Sequence, residues 1–397
     1  MATRPVDRPP VPDLLDVQLY AQRGEHDAFA LLRDERRVHF NPEPDGPGFY
    51  ALTRYDDVVA AARDVKRFSS AKGTQIKDKR AEGHGEASVH NSDPPHHSRL
   101  RNAALPAFRR LIFEGKMDRF RRIVTDLLAA TPSGAPFDFV DAVAVKLPMI
   151  VFAEVLGVPP ADQDRMVFWA NTMSDVLASE AEQASARAEL FHYFRHLAAL
   201  RRSDPQDDVA SALVHAEVAG QPMNEGQLDA FFILLTVAGN ETTRNLLSMG
   251  LEQLCLQQDD LARLRANPDL IPLTVEEMVR WVSPVIQMRR TATCDLDLHG
   301  TPIKAGDKVV LYFAAANRDE RQFEAADRFR IDRTPNEHVG FGIGPHFCLG
   351  THLARLETAA FLEVFLSRYQ SCAIEGLGER LPSNWFAALK SLSVRWS

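Results

Sequence analysis

Apolar and polar positions follow two rhythms along this 397-residue chain, and the longer one dominates. From residue 96 to about 280, apolar residues recur every three to four places, the period of a helix with one buried face. Turn-forming text breaks that rhythm near Pro132–Pro136, at Pro159-Pro160 and across Asp204–Asp208. The run Asn224-Glu225-Gly226-Gln227 reads as a helix start, with Asn224 as cap and Gln227 reaching back to it. The following LDAFFILLTVAG is apolar on every side, which places its helix in the middle of the protein. Continued to about Gln258, that helix is roughly 50 Å long. A further helix is expected from about Leu349 to Tyr369. The two-residue rhythm of strands appears within Gly48–Thr53 and across residues 290–315. The expected class is therefore mainly α with a smaller β-rich part. Residues 1–12 are proline-rich and read as a loose arm, and 13–397 as a single domain. Residues 71–92 are polar and glycine-containing, a long loop of the kind that serves binding.

Hydrophobic residues make up 45% and charged residues 25%, proportions of a soluble globular protein. The net charge of -8 argues against nucleic-acid binding, which needs a basic surface. The four cysteines include no C-x-x-C pair, against a zinc ribbon or redox dithiol, and are too sparse for a disulfide framework. The opening residues MATRPVDRPPVPDLL lack an apolar signal-peptide core. No uncharged apolar run reaches the ~18 residues of a membrane span. A cytoplasmic location without a membrane anchor is expected.

The most informative chemistry lies in Phe341–Gly350, FGIGPHFCLG, which runs from a loop into the next helix. Glycines at 342, 344 and 350 allow backbone N–H groups close to the Cys348 sulfur. A helix N-terminus adds partial positive charge, and both effects favour the thiolate. The pattern Phe-x-x-Gly-x-His-x-Cys-x-Gly, met by Phe341, Gly344, His346, Cys348 and Gly350, resembles the haem-binding signature of the cytochrome P-450 family, soluble bacterial type. That resemblance implies the cytochrome P-450 fold with a long central helix over haem b, and Cys348 as the iron's axial ligand.

Further motifs follow in the family's order. Glu277-Met278-Val279-Arg280 resembles its Glu-x-x-Arg helix, where residues three apart can pair. Arg328 is expected as the third member of that structural network. Glu241 and Thr242, within AGNETT, resemble the acid–alcohol pair that delivers protons, Thr242 facing the iron and Glu241 reaching it through water. The segment Asp93–Arg101 resembles the helix entry beside the haem propionates. By resemblance, His97, Arg101, Arg290 and His346 supply donors to those two carboxylates, and Leu234, Val237, Ala238, Ile286, Trp385 and Phe386 wall the substrate pocket. The implied activity is insertion of one oxygen atom from O2 into an apolar terpenoid, steroid or hydrocarbon-chain compound. Electrons would come from a ferredoxin and its NAD(P)H-dependent reductase, docking at Arg109, Arg110, Lys116 and Arg355. Two other activities compete: a peroxygenase using hydrogen peroxide, and a non-catalytic haem sensor or carrier. The acid–alcohol pair speaks against both.

Overall fold

The computed structural model describes residues 12–77, 88–109, 113–174 and 178–397. The expected arm up to residue 11, the middle of the 71–92 loop and Arg110 lie outside these residues. Helix accounts for 53% of the structure and strand for 13%, so the mainly α expectation holds.

The architecture is organised around one helix, Glu225–Leu256. Its 32 residues span about 48 Å at 1.5 Å each. Its start is a capping box: the Gln227 backbone N–H donates to Asn224 Oδ1 at 2.9 Å, and the Asn224 N–H donates to Gln227 Oε1 at 3.0 Å. These bonds satisfy backbone donors that a helix end otherwise leaves orphaned. Between Asn245 and Cys255 only Gln253 escapes full burial, whereas in the all-round apolar run 228–239 only Leu228, Phe231, Phe232 and Thr236 are buried, so full burial begins later along the helix than expected. Helices Lys146–Leu156, Glu180–Ser203, Ile271–Val282 and Thr351–Arg368 pack around it.

A five-stranded sheet stands beside this helical bundle, in the order Val38–Asn41, Phe49–Leu52, Lys308–Tyr312, Gln287–Ala292, Phe68–Ser69. The strand expected within Gly48–Thr53 is its second member, and residues 290–315 supply others. Lys308–Tyr312 runs parallel to Phe49–Leu52 and antiparallel to Gln287–Ala292, with Arg290 opposite Val309. That register sets the depth at which Arg290 projects. A second, three-stranded sheet joins Cys372–Ile374, Ser393–Trp396 and Phe137–Asp138.

The Glu-x-x-Arg pair is a buried clamp. Arg280 Nε and Nη2 both donate to the Glu277 carboxylate at 2.7 Å, and neither side chain is exposed at all. Here the structure corrects the expected third member. Arg328 is exposed and contributes only its carbonyl, which accepts from Arg280 Nη2 at 2.9 Å. The third side chain is Arg333, whose Nε reaches Glu277 Oε2 at 3.0 Å. The backbone turns between the two, so the nearer arginine in sequence points outward. Among the described residues, no helix is long and apolar enough to cross a membrane.

Candidate functional site

The site is assembled from the cysteine loop, the helix His96–Ala104, the strand Gln287–Ala292 and the middle of the central helix. The loop is pinned by the Cys348 N–H donating to Phe341 O at 2.9 Å. Gly344, at φ +75°, seats it against helix Tyr55–Arg63: an added Cβ would stand 2.9 Å from the Ala62 carbonyl oxygen. Its glycine therefore serves packing rather than approach to sulfur. The backbone of Gly350 does act on the thiol. Cys348 is accessible to solvent, yet it lies deep enough for burial to push its thiol pKa up. The Gly350 N–H, the Thr351 hydroxyl, Arg101 and Arg355 pull the pKa down without reversing it. Burial thus opposes the local dipoles that favour the thiolate, because desolvation penalises the charged form, and an iron cation at the sulfur would favour it.

Beside the loop lies a cluster of basic groups drawn from distant parts of the chain. The rings of His97 and His346 stand 4.2 Å apart between centroids. Arg290 and His97 are almost wholly buried, and Arg101 is half-buried. His97 Nδ1, His346 Nε2 and Arg290 Nε find no hydrogen-bond partner among the described residues. Burial, reinforced by neighbouring cations, lowers His97 to about 4 and His346 to about 2, and burial lowers Arg290 to about 10. The carboxylate felt by His97 and Arg290 is Asp93, which already accepts from Ser69 Oγ and the Ser70 N–H. Buried donors and excess positive charge are costly unless an anion meets them. The cluster therefore fits a ligand bearing carboxylates, and the four expected donors are brought together. His90 joins them unforeseen: it shares a 2.7 Å contact with Thr74 Oγ1, and burial and Arg290 lower it to about 4. No spacing rule marks a histidine in an irregular loop.

Across the cleft, the central helix changes character. Ala238 is exposed, and Val237, Gly239, Glu241 and Thr242 are only half-buried. A Cβ on Gly239 would meet nothing within 4 Å, so the helix is open on that side. Thr242 Oγ1 donates to Ala238 O at 2.6 Å, one turn back. That bond commits the hydroxyl proton and leaves the oxygen free to accept one. Glu241 lies within electrostatic reach of Arg244, a largely buried residue that motif reading passed over.

The expected pocket wall divides. Leu234, Val237 and Ala238 occupy the open stretch of the helix. Ile286 is only 1% exposed and lines a cavity of about 170 Å³ with Met249, Trp281 and Arg318. Trp385 lines a different cleft of about 510 Å³, among Leu15, Lys308, Gln287 and residues 43–47 and 75–77. Phe386 stacks on Trp385 at 4.3 Å, and its backbone bridges to Val285. Strand register directs these side chains, and spacing in the sequence does not report it. Arg355, expected on a docking patch, instead binds Glu276 at 2.5 and 2.7 Å and covers the Phe341 ring at 4.8 Å.

The comparisons agree with this geometry. The family profile for cytochrome P-450 matches residues 164–391. A linalool 8-monooxygenase of Pseudomonas putida is 36% identical, aligning 96% of this chain with 98% of the relative. A steroid C26-monooxygenase of Mycolicibacterium smegmatis is 37% identical over 92% of this chain and 90% of its own length. A methyl-branched lipid omega-hydroxylase of Mycobacterium bovis is 38% identical over 93% and 90%. Among solved structures, a cytochrome P-450 from Novosphingobium aromaticivorans superposes with a TM-score of 0.88 at 33% identity, covering 98% of this chain and 99% of that one. A Mycobacterium marinum cytochrome P-450 in complex with pseudoionone gives 0.87 at 34%, over 100% of both. The cysteine loop, the uncompensated cations and the near full-length relatives converge: this chain belongs to the cytochrome P-450 family, monooxygenases whose cofactor is haem b.

Proposed function

We propose that this monooxygenase oxidises an apolar small molecule of terpenoid, steroid or hydrocarbon-chain type, drawing electrons from a ferredoxin and its NAD(P)H-dependent reductase. The observation that carries the substrate class is the open apolar stretch Leu234, Val237 and Ala238 midway along a helix whose following turns, Asn245–Cys255, are buried apart from Gln253. Apolar walls with few polar groups are what small-molecule pockets present. Relatives named for linalool, steroid and methyl-branched lipid oxidation point the same way.

Bound haem supplies the reduction of O2 and the transfer of one oxygen atom to carbon. Cys348 would hold its iron, while His97, Arg101, Arg290 and His346 would hold its carboxylates. Ala238, having the smallest side chain of the three, leaves room for substrate beside the reacting centre. Thr242, its own proton held by Ala238 O, accepts a hydrogen bond from a protonated group placed against the helix. Glu241, on the adjoining position, passes protons on from solvent.

The test is spectral and then catalytic. The reduced CO complex is expected to show the red-shifted Soret band of thiolate ligation. Cys348→Ala abolishes it, while Cys294→Ala leaves it. Terpenes, steroids and fatty acids are then screened for a shift of the resting spectrum. With the best ligand, Thr242→Ala keeps that shift but loses about 10²-fold in product per NAD(P)H, the usual scale for removing a positioned proton-transfer group. A screen in which only large polar compounds shift the spectrum overturns the substrate class. Full turnover with hydrogen peroxide alone replaces the reductive reading by a peroxygenase.

A further inference from the structure

Away from the haem site, two buried thiols meet. Cys255 lies in the last turn of the central helix, and Cys372 opens the strand Cys372–Ile374. They are 5% and 2% exposed, and 117 residues apart in sequence. Their sulfur atoms are 2.7 Å apart, closer than non-bonded sulfurs ordinarily pack. A disulfide requires about 2.05 Å, so bonding needs a movement of roughly 0.7 Å. A second observation shows that the backbones, not the thiols, set this approach. Gln258 Nε2 donates to the carbonyls of both residues, at 2.6 Å to Cys255 O and 3.0 Å to Cys372 O. The strand is also held from its other side, where Cys372 pairs with Trp396, a wholly buried residue stacked on Tyr369. The remaining cysteines lie elsewhere: Cys294 is exposed and Cys348 belongs to the haem loop.

We propose that Cys255 and Cys372 form a site of oxidative modification, cross-linked to a disulfide by hydrogen peroxide. One sulfur attacks the O–O bond, becoming a sulfenic acid and releasing one oxygen as water. The second sulfur then displaces the sulfenic hydroxyl, which leaves with its proton as a second water. Both thiol hydrogens are consumed, each sulfur gives up one electron, and peroxide takes both. Burial decides which oxidants act. At 5% and 2% exposure the pair is closed to a bulky disulfide such as oxidised glutathione, so the oxidant proposed is the small peroxide molecule. The contact with Cys372, and then burial, hold the Cys255 proton firmly, which slows its oxidation and leaves the pair reduced at low peroxide.

The cross-link closes a loop containing helix Ile271–Val282, two strands of the large sheet and the cysteine loop. It thereby restricts unfolding of the segment that carries Cys348. Along the helix, Cys255 lies 13 residues from Thr242, about 20 Å. The bond is accordingly a clasp on stability, set apart from the reacting centre.

The test treats the holoenzyme with hydrogen peroxide, quenches it in acid, alkylates remaining thiols under denaturing conditions and maps peptides without reductant. The expected result is a linked peptide pair joining Cys255 to Cys372, lighter by two hydrogens than its parts and separated by dithiothreitol. Cys372→Ser and Cys255→Ser each lose the link while retaining the untreated activity. Thermal melting of the treated wild type rises by on the order of 5 °C relative to treated Cys372→Ser. Oxidation at exposed Cys294 reports that peroxide reached the protein. Recovery of both Cys255 and Cys372 as alkylated thiols in molecules oxidised at Cys294 overturns the proposal. So does a link from either residue to any other cysteine.

Discussion

A guanidinium withdrawn from water with little carboxylate compensation raises the free energy of the folded chain, and Arg290 is such a group: the carboxylate it feels, Asp93, is already bonded to Ser69 and Ser70. Its Nη1 donates to the neighbouring Arg289 carbonyl, its Nε to nothing among the described residues, and burial pulls its pKa to about 10. Two opposite effects follow from one substitution. In Arg290→Met, a haem carboxylate loses a charge-assisted donor worth about 1.5–3 kcal/mol, so haem transfer to apomyoglobin should quicken by roughly 10- to 100-fold. The haem-free chain should meanwhile unfold at a higher urea concentration than wild type, because a poorly compensated buried charge is gone. Equal haem-transfer rates would remove Arg290 from the carboxylate cluster.

Helices carry two further consequences. On Ile271–Val282, the clamp of Glu277 and Arg280 is completed by Arg333 rather than Arg328. Arg333→Ala leaves the buried Glu277 charge under-compensated and is expected to cost about 3 kcal/mol. Arg328→Ala, whose side chain is exposed, should stay within about 0.5 kcal/mol. Denaturant midpoints of the two variants decide between them, and the reverse order would restore Arg328 to the network. On Thr351–Arg368, Glu357 is buried, one carboxylate oxygen lacks a partner among the described residues, and burial pushes its pKa up to about 8. The unfolded chain releases this proton near the ordinary carboxylate value of about 4.3. Between those pH values the folded form holds a proton that the unfolded form has lost, so stability falls as pH rises from about 4.3 to 8. Glu357→Gln should flatten that slope and stabilise the protein more at pH 8 than at pH 5. An unchanged slope in the variant places the pH dependence on other groups.

The whole molecule is acidic, with a net charge of -8, so an acidic ferredoxin needs a local basic face. The structure narrows the expected face. Arg355 is committed to Glu276, whereas Arg109 is exposed and Lys116 half-exposed. Reversing both, as Arg109→Glu with Lys116→Glu, is expected to raise the ferredoxin concentration for half-maximal turnover about tenfold at low salt. The difference should shrink as salt screens the charges. Indifference to the reversal across ionic strength would put docking on another face.

Much of this protein was legible before folding because its signals are local. The capping box at Asn224 and Gln227, the all-round apolar helix and the glycine-flanked Cys348 each depend on neighbours within a few residues. The pairing of Glu277 with Arg280 is likewise set by helical spacing. What spacing could not report is where strands and loops send their side chains. Tertiary packing placed Ile286 and Trp385 beside different cavities, chose Arg333 over Arg328, and drew His90 in beside Arg290. It also set a second influence on Cys348, where burial, a property of the whole fold, opposes the local dipoles that favour the thiolate. Local chemistry thus determined which groups this chain carries, and long-range packing decided their partners, because desolvation and register are set by residues hundreds of places apart.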